Sequence, residues 1–73
     1  MNTTLSPSVL RWARERAGLS EIELAEKAGV DLRLLQTWEA TGSIPFAKVD
    51  LVAEKTHTPF GYLFLSHPPE ENR

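Results

Sequence analysis

Cysteine is absent from this sequence. That excludes a disulfide framework, thiolate chemistry and sulfur ligands for a metal, and it is compatible with a reducing compartment. Histidine is scarce. His57 and His67 are the two present, and at that separation, without cysteine, they make a poor metal pair. A nucleophile needs a base within hydrogen-bond reach and the base needs an orienting partner, and no such constellation can be read here. The expectation is therefore no catalytic residue, no metal and no cofactor: not an enzyme. His57, at the end of an expected helix, is more simply explained by the interaction of its protonated ring with the helix dipole. No apolar run approaches the ~20 residues that a membrane helix needs. The opening MNTTLSPSVL lacks the basic start and apolar core of a signal peptide, so a cytoplasmic protein with no membrane partner is expected. Positive charge is also short. Eight lysines and arginines face ten acidic residues, a formal net charge of −2, whereas proteins that hold nucleic acid usually carry a basic face. The 73 residues, 41% hydrophobic, suffice for one globular domain near the lower limit for an unaided core.

What is present centres on Leu19 to Glu39, LSEIELAEKAGVDLRLLQTWE. Ser20 is a good N-cap, and Glu23 three residues on completes a capping box. Ile22, Leu24, Ala25 and Ala28 supply one apolar side. Gly29 stops that helix where the chain must leave with positive φ. Val30 plugs the hinge, Asp31 is the next N-cap, and a second helix carries Leu35 and Trp38 inward at i, i+3 spacing. The small Ala25 lets the two helices cross closely. That is the logic of a helix-turn-helix, spanning about 20–40.

The flanks read as further helices. Ser6-Pro7 pairs an N-cap with proline at the first helical position, opening a helix to about Ala17 with Val9, Leu10, Ala13 and Ala17 buried and Trp12 beside them. Residues 1–5 read as loose. Gly18 closes the first helix, and 40–44 reads as a loop in which Gly42 takes the positive-φ position. Pro45 falls in the first turn of a fourth helix to about Thr56, with Val49, Val52 and Ala53 inward and Phe46 and Leu51 as additions. Thr58-Pro59 starts a fifth, where Phe60, Leu63 and Phe64 form an i, i+3, i+4 face and Gly61 allows close contact with another helix. The domain thus spans 6–66, and 67–73, within SHPPEENR, reads as a disordered tail or a linker.

The pattern LSxxxLAxxxGVxxxxLxxWE, carried by Leu19, Ser20, Leu24, Ala25, Gly29, Val30, Leu35, Trp38 and Glu39, resembles the lambda-repressor-like (Xre-type) helix-turn-helix family. With Pro45 and GYLFL the resemblance covers roughly residues 7–66. It departs at Thr41, where the family usually has glycine and this chain has it one position later. THTPFGYLF and SHPPEE are also similar to the end of this domain in regulators that continue into a zinc metallopeptidase-like domain; the HExxH helix of such a domain is not in this chain. The resemblance implies an all-α, compact five-helix bundle. Its implied function is a sequence-specific DNA-binding transcriptional regulator, either free-standing or the N-terminal fragment of a larger one.

Matched residue by residue, the family's groove-facing positions are Glu21, Leu32, Arg33, Gln36 and Thr37. Arg33 can pair with guanine or hold a phosphate, Gln36 can read adenine, and Thr37 can meet a phosphate or a thymine methyl. Glu21, an acceptor, favours cytosine and repels phosphate; Leu32 offers apolar contact alone. Phosphate contacts fall to Arg11, Arg14, Arg16, Ser20 and Lys48, though each arginine can instead pair with Glu15, Glu39 or Glu54. Glu39 is expected to be an internal partner for an arginine. A solvated helix face is the plain alternative for Arg33 and Gln36. The expected partner is a palindromic double-stranded operator bound by a homodimer, with Tyr62, Phe64 and Leu65 as the dimer surface. From Ser20 to Glu39, however, two basic residues stand against five acidic ones. With Leu32 on the outward side, these favour a competing expectation, a protein-interaction module whose third helix docks a protein partner.

Overall fold

Residues 2–68 are described by a computed structural model; Met1 and residues 69–73, most of the expected tail, lie outside the described residues. In chain order the elements are β1 (Asn2–Thr4), α1 (Pro7–Arg16), α2 (Glu21–Ala28), α3 (Leu32–Thr41), β2 (Ser43–Pro45), α4 (Phe46–Lys55) and a 3₁₀ helix, Phe60–Phe64. The protein is mostly helical, but a 3₁₀ helix takes the place of the expected fifth α-helix and a two-stranded sheet joins the bundle. No described helix is long and apolar enough to cross a membrane.

Local chemistry accounts for the helix boundaries. Pro7 opens α1 at a position whose N–H would be unpaired anyway. The Ser6 hydroxyl bonds to that of Ser8 at 3.0 Å instead of capping the backbone. At α2 the capping box is complete: the Glu23 N–H donates to Ser20 Oγ at 3.1 Å, and the Ser20 N–H donates to Glu23 Oε1 at 2.8 Å. Gly29, at φ 71°, ends α2 in the left-handed region. Asp31 stands at the N-cap of α3 without a side-chain cap, so that start rests on backbone geometry. Gly42 closes α3 at φ 78°, one residue later than in the family pattern, and the helix runs through the expected loop as far as Thr41.

Residues 2–4, read as loose, form a strand. β1 pairs antiparallel with β2 in the register Asn2↔Pro45, Thr3↔Ile44 and Thr4↔Ser43. The pairing lets the chain bury Leu5 and Ile44, and the Leu5 N–H donates to the Gly42 carbonyl at 2.7 Å. A Cβ at position 42 would collide with the Leu5 carbonyl oxygen, so glycine is needed there for space as well as for φ. The domain therefore begins before residue 6.

The core gathers Leu5, Val9, Leu10, Ala13, Leu24, Ala25, Leu35, Trp38, Ile44, Val49, Val52, Ala53 and Leu63. Several outer positions differ from the helical readings. Ile22 is 56% exposed, because only Leu24, Ala25 and Ala28 of α2 face inward. Pro45 is the N-cap of α4, not in its first turn, and Phe46 is half exposed. In the last segment Leu63 alone is buried and Phe60 and Phe64 stay on the surface. The tighter 3₁₀ turn accounts for Phe64, since residues four apart no longer share a face; Phe60, at the first position of the segment, lies on the surface against Phe46 and Phe64. A Cβ at Gly61 would meet nothing, so that glycine permits no close helix contact.

Candidate nucleic-acid interface

Helix α3 divides lengthwise. Leu35, Trp38 and Glu39 are buried, while Arg33, Gln36 and Thr37 are exposed, and their i, i+3, i+4 spacing sets them on one outer face. The Arg33 guanidinium has no hydrogen-bond or ion-pair partner among the described residues. The Thr37 hydroxyl donates to the Arg33 carbonyl at 3.0 Å, which uses its one donor and leaves its acceptor lone pairs free. Gln36 Nε2 donates to Glu21 Oε1 at 3.2 Å. This contact joins the start of α2 to the outer face of α3, and places four of the five expected groove-facing residues on one surface.

Leu32 lies at the edge of that surface and not open upon it. It is half-buried and packs against the core with Trp12, Leu19 and Val30. A side chain in the first turn of a helix leans back toward the N-terminal end, and this carries Leu32 to the edge of the core. The exposed leucine of α3 is Leu34, at 42%.

The expected phosphate contacts separate into two kinds. Arg11 is exposed and Lys48 half-buried, with neither engaged in an ion pair among the described residues. Ser20 is exposed; its hydroxyl accepts within the capping box and still carries a donor. Arg14 is occupied elsewhere. Its Nε donates to Glu39 Oε2 at 2.8 Å, its Nη2 to Glu39 Oε1 at 3.3 Å and its Nη1 to the Leu19 carbonyl at 3.1 Å. The Glu39 hydrogen bond raises the Arg14 pKa, against the lowering effect of burial. Arg14 thus fastens α1 to α3 and to the loop before α2, and the expectation of an internal arginine partner for Glu39 holds. Arg16 is similarly held: Nη2 donates to the His57 carbonyl at 2.8 Å, and its guanidinium lies 5.2 Å from the Trp12 ring centroid. At His57 the carbonyl is therefore engaged, and the backbone is left-handed at φ 54°.

Tyr62, Phe64 and Leu65 are all exposed, but the first two face different neighbours. Tyr62 lies beside Trp12, with ring centroids 6.3 Å apart. Phe64 joins Phe60 at 5.2 Å and Phe46 at 6.5 Å, and Phe46 meets Phe60 edge-on at 6.2 Å. This aromatic triad bridges the start of α4 and the 3₁₀ helix. Helical spacing does not reveal it, because Phe46 comes from another element. The Glu21–Gln36 contact is equally invisible to local spacing.

Compared with protein-family models, curated proteins and solved structures, the chain matches none of them.

Proposed function

We propose that this chain is a sequence-specific DNA-binding regulator of transcription of the lambda-repressor-like type. In this reading α3 lies in the major groove with Arg33, Gln36 and Thr37 toward base edges, and Glu21 borders them from the start of α2. The observation that carries the reading is the lengthwise division of α3 into a buried Leu35–Trp38 side and an outer side of hydrogen-bonding residues. The backbone N–H groups at the start of α2, with Ser20, Arg11 and Lys48, supply phosphate contacts. Binding as a homodimer to a two-fold operator, through Phe64, Leu65 and Tyr62 together with Phe46 and Phe60, completes the proposal. A cytoplasmic site of action fits it.

The test is an amide-shift NMR titration with a mixed-sequence duplex at low and at physiological salt. Shifts in the first turn of α2, in residues 32–37 and at Arg11, fading as salt rises, are expected, because cations at phosphates displace counterions. A second reading is a protein-interaction module on the same scaffold. It is favoured by the exposed side chains of Ile22 and Leu34 and by the net charge of −2. Absence of shifts at low salt would move the assignment to that reading.

A further inference from the structure

The contact between Glu21 and Gln36 has a chemical consequence for which bases this surface accepts. An ionised glutamate has acceptors only, and a glutamine amide has one acceptor and two N–H donors. Gln36 Nε2 donates to Glu21 Oε1 at 3.2 Å. The opposite amide orientation would set an oxygen against a carboxylate oxygen, so the carboxylate fixes which way the amide lies. One Gln36 donor is then consumed internally. Outward remain Glu21 Oε2, Gln36 Oε1 and the second N–H of Gln36: two acceptors and one donor. Glu21 is the first residue of α2, where the exposed backbone N–H groups and the helix dipole suit a negative charge.

In the major groove, adenine presents an N6 amino donor beside the N7 acceptor, and cytosine presents an N4 amino donor. Guanine and thymine present the keto acceptors O6 and O4 at the equivalent places. We infer that the Glu21–Gln36 pair acts as one specificity-determining unit that selects exocyclic amino groups, with adenine at Gln36 and cytosine at Glu21, and rejects the keto bases guanine and thymine. The inference rests on the proposed DNA reading and goes beyond it, because it assigns the readout to a coupled pair instead of two separate side chains. Rejection is the stronger part. A keto oxygen opposite the Glu21 carboxylate meets an acceptor with no proton between them, and a desolvated acceptor is left unpaired. Glu21 therefore restricts the accepted bases while its charge lowers general affinity for phosphate.

The experiment is selection from a randomised duplex library at low salt with the wild-type protein, Glu21→Gln and Gln36→Ala, each checked for folding by circular dichroism. Wild type is expected to enrich adenine and cytosine at two positions, with replacement by guanine or thymine weakening binding about 10-fold at each. In Glu21→Gln, both preferences relax, because an amide at position 21 can donate and no longer fixes Gln36. In Gln36→Ala, only the adenine preference disappears and the cytosine preference stays. That asymmetry is the signature of the pair. Enrichment of guanine or thymine at the positions sensitive to these substitutions overturns the pair's role while leaving DNA binding intact. So does enrichment that neither variant alters. Retention of no duplex by wild type overturns the DNA reading and the pair's role with it.

Discussion

Two glycines of this chain separate two kinds of constraint. Gly29 and Gly42 both sit at positive φ at the end of a helix, but a side chain at 29 would enter open space whereas one at 42 would strike the backbone of Leu5. Gly29→Ala should cost about 1 kcal/mol, the strain of a left-handed alanine alone. Gly42→Ala should cost distinctly more, since α3 or the N-terminal strand must also shift. Urea unfolding of the two variants checks this; equal losses would mean that Leu5 does not bear on Gly42. The Arg14–Glu39 pair is the second feature at this scale. Both side chains are largely shielded, at 12% and 6% exposure, and removing one partner from such a pair leaves an uncompensated charge. Glu39→Ala is expected to lower stability by about 3 kcal/mol. The pH dependence follows from the raised Arg14 pKa. A raised value in the folded state contributes stability that is fully present below the unfolded value and is lost only as pH climbs through the folded one. Both lie far above neutrality for a guanidinium. The destabilisation caused by Arg14→Met should therefore be the same at pH 7 and pH 10, as read from unfolding curves at each.

Among the elements, α2 depends most on a single hydroxyl. Ser20→Ala removes an acceptor from the Glu23 N–H and breaks the reciprocal cap. A loss of about 1 kcal/mol is expected, with faster amide exchange at the start of α2; unchanged exchange would show that the cap does not hold that turn. This element was legible in the sequence because its start and its stop are encoded within a few residues, although Ile22, read on its apolar side, is exposed. The end of α1 near Gly18 was legible for the same reason, and so was the positive φ of Gly42, although α3 runs on to Thr41 through residues read as loop. The sheet was not. Three residues carry no useful alternation, and the partner of Thr3 is Ile44, far outside any local window. The last segment was read as helical from spacing that its 3₁₀ geometry does not use. Of the candidate site, Glu21, Leu32, Arg33, Gln36 and Thr37 came from the resemblance and not from the helical period. The period accounts only for Arg33, Gln36 and Thr37 sharing an exposed face, and it does not capture the backward lean that tucks Leu32 toward the core. The choice of Glu39 as an internal ion-pair partner needed only its position next to the buried Trp38.

For the whole molecule, the aromatic triad and the acidic balance make opposing demands. Phe46, Phe60 and Phe64 are 50%, 40% and 43% exposed on one contiguous patch, more apolar surface than a small monomer usually leaves uncovered. In the proposed dimer this patch is covered. Phe64→Lys should then shift sedimentation velocity toward monomer while the thermal midpoint moves by only a few degrees. A wild-type protein that sediments as a monomer, or a variant that still assembles, would remove the patch from the proposal. The small sheet has a different consequence, one of timing. During synthesis, β1 leaves the ribosome well before β2, and chains grow at ~5–20 residues per second. For some seconds Leu5 has neither the Gly42 carbonyl nor the neighbouring core to meet. Residues 2–5, made before every other element described, are thus held back until residues 42–45 are available to them.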